Sequence, residues 1–132
     1  MKRTAIPRWI TVYAGFLAVL GLIAGLLGFI APQLFLPDVI IDPPQQQLLG
    51  LYAGRSITMG LVMAFALYKR NPDYLFLAFL MRLLTELFDT IVMVRANVFN
   101  VPPFLLLLSM IIVFIIPEAL ALRKLASLSP TT

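Results

Sequence analysis

The chain contains no cysteine and no histidine. Disulfides, thiol nucleophiles, thiolate or imidazole metal sites and serine–histidine triads are therefore excluded. Charge is scarce as well: 12% of residues are charged, against about 25% in ordinary soluble domains. The basic excess, net +4, is not gathered on one face as in nucleic-acid binders; it stands at helix ends or singly within helices, and no nucleic-acid partner is expected. What fills the sequence is apolar: 61% of 132 residues, arranged in long runs. A spanning helix needs roughly 20 such residues, so a chain of this length accommodates about four. The expected fold class is all-α, an integral membrane four-helix bundle forming a single domain over residues 1–132.

The N-terminus mimics a secretion signal, with Lys2, Arg3 and Arg8 ahead of an apolar run. That run, Trp9 to Ala31, exceeds a signal core of about 7–15 residues and ends at Pro32 without an A-x-A cleavage pattern. It is expected to remain as the first span. Helices are predicted over about 7–30, 48–68, 74–96 and 103–122. Pro7 suits a first helical position and Pro32 forbids continuation. Between the first two helices lies a polar connection, Gln33 to Gln47, carrying Asp38, Asp42, Pro43 and Pro44, with Val39 to Ile41 dipping into the headgroups. Asn71-Pro72 breaks the second helix, with Asp73 as the expected cap of the third. Asn97 and Asn100 mark the next turn, and Pro102 and Pro103 open the fourth helix. Pro117 is expected to bend that helix near its end, ahead of a short tail with Arg123 and Lys124.

On the first helix Ala14, Ala18, Gly21, Gly25 and Gly28 recur at spacings of four and three, a small-residue face through which membrane helices approach closely. The basic residues Lys2, Arg3, Arg8, Lys69, Arg70, Arg123 and Lys124 all fall on one side of a four-pass chain. The positive-inside rule then puts both termini in the cytoplasm, with the cell (inner) membrane as the expected location. Arg95 is the exception and is expected to snorkel outward or meet Asp38 or Asp42.

Five ionisable residues fall within the predicted spans: Arg55, Arg82, Glu86, Asp89 and Glu118. Each would cost about 2.5–3.5 kcal/mol or more facing lipid at mid-membrane, so they must turn inward and pair or line a wet cavity. Arg82, Glu86 and Asp89 sit at i, i+4 and i+7, one stripe of the third helix. Counting from the outer helix ends, Arg55 and Asp89 lie at similar depth, about 10 and 12 Å. An Arg55–Asp89 pair, forked to Glu86, is the expected solution, with Arg82–Glu118 as a second link on the inner side. Tyr52, Ser56, Met59 and Met63 on the second helix and Thr85 and Met93 on the third supply an adaptable wall, the composition of a small-molecule pocket. Such pairs can equally serve only to fix which helix meets which.

The stretch GLYAGRSITMGLVMAFALYKRNPDYLFLAFLMRLLTELFDTIVM, with Gly50, Tyr52, Gly54, Arg55 and Gly60 followed by Arg82, Glu86 and Asp89, resembles the central helices of small bacterial four-helix membrane proteins of the DoxX-like type. The resemblance covers the middle of the chain and implies a fold without an activity. A looser, purely architectural similarity links it to sterol-isomerase-type proteins and to membrane-bound cyclases and epoxide-opening enzymes.

Two carboxylates beside one arginine can differ in protonation and so furnish a base and an acid. The first functional expectation is thus a cofactor-independent enzyme acting on a lipophilic small molecule by isomerisation, cyclisation or epoxide opening. Asp89 would be the base, Glu86 the protonated partner and Arg55 the organiser, with the two acids interchangeable. Tyr52, Ser56, Met59, Arg82, Thr85, Met93 and Glu118 would line the substrate. The second is a non-catalytic ligand-binding or accessory subunit docking through the small-residue face. The third is a proton-coupled transporter, a homodimer; against it, the small four-helix exporters carry their essential acid in the first helix, which here has none.

Overall fold

A computed structural model describes residues 5–34, 38, 40–96 and 101–128. Among these residues there is no strand. Four long helices follow one another: α1 (Arg8–Ile30), α2 (Pro43–Lys69), α3 (Pro72–Ala96) and α4 (Pro103–Ala126). A short 3-10 turn, Pro32–Leu34, follows α1. Lys2, Arg3, Val39 and the Asn97–Asn100 turn, all used in the sequence reading, lie outside the described residues.

The chain divides into two compact units, Pro7–Lys69 and a second containing Arg70–Thr132. In the first, α1 and α2 pack closely along their length. Gly21 lies against Gly60, and Gly25 against Ala53 and Ile57, so the two helices run antiparallel with their backbones nearly touching. A Cβ added to Gly25 would stand 2.6 Å from Ile57 Cγ1 and 2.8 Å from the Ala53 carbonyl oxygen. One added to Gly60 would stand 2.9 Å from the Ala18 carbonyl oxygen. The expected small-residue face is therefore a packing seam. It is filled by α2, which corrects the notion that it stands open for a partner. Ile10, Ala14, Leu17 and Ala18 of α1 are buried with it, as are Ala53, Met63 and Ala66 of α2.

In the second unit α3 packs mainly against the C-terminal part of α4. Leu75, Ala78 and Phe79 of α3 and Ala121 and Leu125 of α4 are buried. The helix is not uniform: Pro103–Met110 and Ile116–Ala126 are α-helical, while Ile111–Ile115 forms a π-helical turn in which the Ile116 N–H donates to the Ile111 carbonyl. Pro117 explains the position. Its ring would clash with the carbonyl four residues earlier, and the wider turn relieves that clash where a bend was expected.

Several boundaries differ from the sequence reading for local reasons. α2 begins at Pro43, five residues early, because Asp42 and Gln45 form a reciprocal capping box. The Gln45 N–H donates to Asp42 Oδ1 (2.9 Å), and the Asp42 N–H donates to Gln45 Oε1 (3.3 Å). Pro43 and Pro44 occupy the first-turn positions whose N–H groups have no helical partner. At α3 the cap is Asn71, not Asp73: the Asp73 N–H donates to Asn71 Oδ1 at 2.8 Å. Arg70, at φ 48°, makes the left-handed step that ends α2. Pro7 precedes the first residue of α1 rather than occupying it. α4 runs on to Ala126, so Arg123 and Lys124 belong to its last turn, where positive charge complements the helix dipole, rather than to a tail.

α1, α2 and α4 are each long and apolar enough to cross a membrane. α3, at 25 residues, has the length; what sets it apart is that every 18-residue stretch of it contains Arg82, Glu86 and Asp89.

Candidate ionic site

The charged stripe of α3 faces two ways. Glu86 is 7% exposed and buried against its surroundings, whereas Asp89, one turn further on, is half-buried. Arg82 lies between two acids. Its Nη2 pairs with Glu86 Oε1 within α3, the i, i+4 arrangement expected. Its Nε lies 3.6 Å from Glu118 Oε1 of α4, the second link expected from the sequence. The Arg82 guanidinium also stands over the Phe114 ring, 5.9 Å from its centroid, a cation–π contact within the same cluster. Phe114 was not anticipated, although it precedes Glu118 by one helical turn and shares its face.

The three side chains are unequal in their hydrogen bonding. Arg82 Nε and both carboxylate oxygens of Glu118 are fully buried and make no hydrogen bond. Glu118 has no exposed side-chain surface, against 12% for Arg82. Buried apolar residues flank it in sequence on the same helices: Ala121 and Leu125 follow Glu118 on α4, and Phe79 precedes Arg82 on α3. The hydroxyls nearby are turned inward on their own helix. Thr85 donates to the Met81 carbonyl (2.8 Å) and Thr90 to the Glu86 carbonyl (2.6 Å). Thr85, expected in the pocket wall, is thus committed to its own backbone.

The remaining expected residues are distributed between the units. Arg55 belongs to the first unit and Asp89 to the second. Within its own unit the Arg55 guanidinium stacks over the Tyr52 ring at 5.1 Å. With α2 starting at Pro43, Arg55 lies about 18 Å along the helix instead of about 10. The depth match with Asp89 counted from Leu48 therefore measured the apolar part of α2 and not the whole helix. The Ser56 backbone carbonyl faces Gly21 across the seam, the Ser56 residue is half-buried, and Met63 is buried. Met59 on α2 and Met93 on α3 are half-buried. No group of three or more Asp and Glu side chains among the described residues could hold a metal ion. What the geometry brings together is Arg82, Glu86 and Glu118: a guanidinium shared by two acids, able to hold or pass a proton.

No curated protein and no solved structure matches the chain. A family profile described as a domain of unknown function, DUF4267, matches residues 18–117. That match takes in α3 and its charged stripe, most of α1, all of α2 and the start of α4 up to Pro117, and the chain belongs to the DUF4267 family.

Proposed function

We propose that the chain is a multi-pass protein of the cell membrane that crosses the bilayer four times, with both termini in the cytoplasm. In this reading the Glu86–Arg82–Glu118 site carries out acid–base chemistry on a lipophilic small molecule, namely isomerisation, cyclisation or epoxide opening. The membrane placement is supported by three apolar helices and by the residues at their ends. Trp9, Tyr68 and Tyr74 are exposed near Arg8, Lys69 and Arg70, the mixture of aromatic and basic residues found where helices leave the hydrocarbon on the cytoplasmic side. The DoxX-like resemblance of residues 50–93 agrees with this placement and adds no activity.

The observation that carries the chemistry is the second carboxylate. One acid suffices to pair one guanidinium, and Arg82 already has Glu86 within α3. Glu118 is buried completely, without a hydrogen bond, beside the same arginine. An ionisable group held at such cost within an apolar helix is a functional candidate by default. Two acids around one guanidinium supply the two protonation states that a general acid and a general base require. Arg82 thus takes the organising role first given to Arg55. Asp89, on the same stripe, is the alternative base.

Vesicles containing the wild-type protein, Glu118→Gln or Glu86→Gln, incubated with membrane lipid extract and analysed by mass spectrometry, test this. Isomerisation and cyclisation leave the mass unchanged with a new retention time; epoxide opening adds water. Conversion by wild type that both variants lose is expected. Equal conversion by all three proteins would end the acid–base reading.

One observation favours a second function, a non-catalytic ligand-binding or accessory subunit. The cluster is a closed contact, with exposures of 12, 9 and 0% for Arg82, Glu86 and Glu118. If it only sets the register of α3 on α4, apolar replacement of all three residues costs the unit its fold; if the fold survives that replacement, packing does not account for the cluster.

A further inference from the structure

The acid–base reading makes no use of the end of the α1–α2 hairpin where Arg8 enters and Lys69 leaves. The two helices are antiparallel, and Gly21 lies against Ser56 and Gly60. Counting outward from that contact, Arg8 and Lys69 come level to within about one turn, ~5 Å along the axis. Trp9 and Tyr68 stand next to them in sequence and are exposed, as are both cations. Neither cation makes an ion pair among the described residues. The carboxylates of this unit are those of Asp38 and Asp42. Asp42 caps α2 at its other end, about 40 Å from Lys69. Asp38 is four residues further back, a reach of at most about 14 Å. Both acids therefore lie well beyond the screening length of ~8 Å at physiological salt.

The ammonium of Lys69 is also held at a particular depth. Its Nζ lies 5.5 Å from the centroid of the Phe65 ring, one turn back along α2. A lysine at the end of a span ordinarily stretches its stem outward and puts its charge in bulk water. Here the charge folds back over an exposed ring, at the level where aromatic side chains meet lipid headgroups. Beneath it the outer surface of the hairpin is apolar: Val12 and Phe16 on α1 and Leu61 and Phe65 on α2 are all exposed. Unpaired positive charge above a bare apolar wall complements a molecule that is negative at one end and apolar along its length.

We propose that this end of the hairpin binds an anionic phospholipid, with Arg8 and Lys69 holding its head and the exposed apolar residues lying along its acyl chains. The site rests on the membrane placement proposed above and not on the acid–base reading. A zwitterionic lipid offers the same phosphate but adds a cation to it, so net charge is what the site selects. A basic side chain near an anionic lipid surface contributes about fivefold in affinity.

Trp9 is the sole tryptophan of the chain and supplies the probe. In vesicles of brominated phosphatidylcholine, its fluorescence is quenched by the acyl chains around it. Stepwise replacement by unbrominated phosphatidylglycerol should restore the emission ahead of the mole fraction replaced, with a preference of about fivefold. In the double variant Arg8→Gln, Lys69→Gln, both at exposed positions, the preference should fall close to one. Recovery that only follows mole fraction in the wild type, or an unchanged preference in the double variant, overturns the proposal. Phosphate buffer in place of chloride at equal ionic strength should leave the preference intact; its loss would show that a free anion fills the site and would overturn the lipid assignment. An absence of quenching by brominated lipid would instead bring down the membrane placement, and the site with it.

Discussion

In the α1–α2 hairpin, two helices meet backbone against backbone at Gly21, Gly25 and Gly60. In the α3–α4 unit, two helices carrying buried Leu75, Phe79, Ala121 and Leu125 also meet through a guanidinium and two carboxylates. The first contact works by removing side chains, so that dispersion and close approach act over a long seam; this is the ordinary way of joining helices in lipid, where no hydrophobic force acts between them. The second retains polar groups that lipid would penalise and must satisfy them from within. The contrast separates a contact that close packing explains from one to which the function proposed above assigns chemistry. Nothing about the glycine seam suggests a reaction, and a charged cluster is an expensive way merely to pack.

The largest effect should come from breaking the cluster on one side. Arg82→Met leaves Glu86 and Glu118 without their cation, and loss of one partner of a buried ion set costs about 3–5 kcal/mol. Denaturant titration in mixed micelles should show that loss, whereas Arg82→Met combined with Glu86→Leu and Glu118→Leu should recover most of it. If the triple variant is as unstable as the single one, the cluster is structural after all. Next in size is the glycine seam. Gly25→Ala places a methyl group 2.6 Å from Ile57 Cγ1, and overpacking of this kind costs about 1–3 kcal/mol. The loss should appear in thermal unfolding; an unchanged unfolding temperature would show that Ile57 yields at the seam without cost. Smaller again is the cap of α2. Asp42→Ala removes the acceptor of the Gln45 N–H, worth typically about 1 kcal/mol, and faster amide exchange at Gln45 and Gln46 would register it. At the bottom of the scale, Gly54→Ala meets nothing within 4 Å and should be neutral or stabilising by up to about 1 kcal/mol, since alanine is the better helix former.

Much of this architecture was legible in advance because it depends on local chemistry. The four helical segments follow from apolar runs punctuated by proline, and the α1 seam follows from small residues recurring on one face. The intrahelical Arg82–Glu86 pair needs only the helical repeat. The Asp42–Gln45 box was legible too, since Asp-Pro-Pro-Gln satisfies the spacing of a capping box, but two prolines read as a loop conceal it. Arg55 illustrates the other case: the sequence places it in an apolar helix without naming its neighbours, and its contact within the hairpin is the ring of Tyr52.

By itself, the sequence determined the all-helical class, the membrane-compatible composition, the exclusion of thiol and imidazole chemistry and the identity of the charges that need partners. These properties are carried by residue type and by periods of three and four along one chain. Which acid would stand back from Arg82 and which helix would fill the glycine face were decided only by tertiary structure. Both outcomes depend on distances between segments remote in sequence: Arg82 and Glu118 stand 36 positions apart, and Gly21 and Gly60 stand 39 apart, so no local pattern fixes how closely either pair approaches.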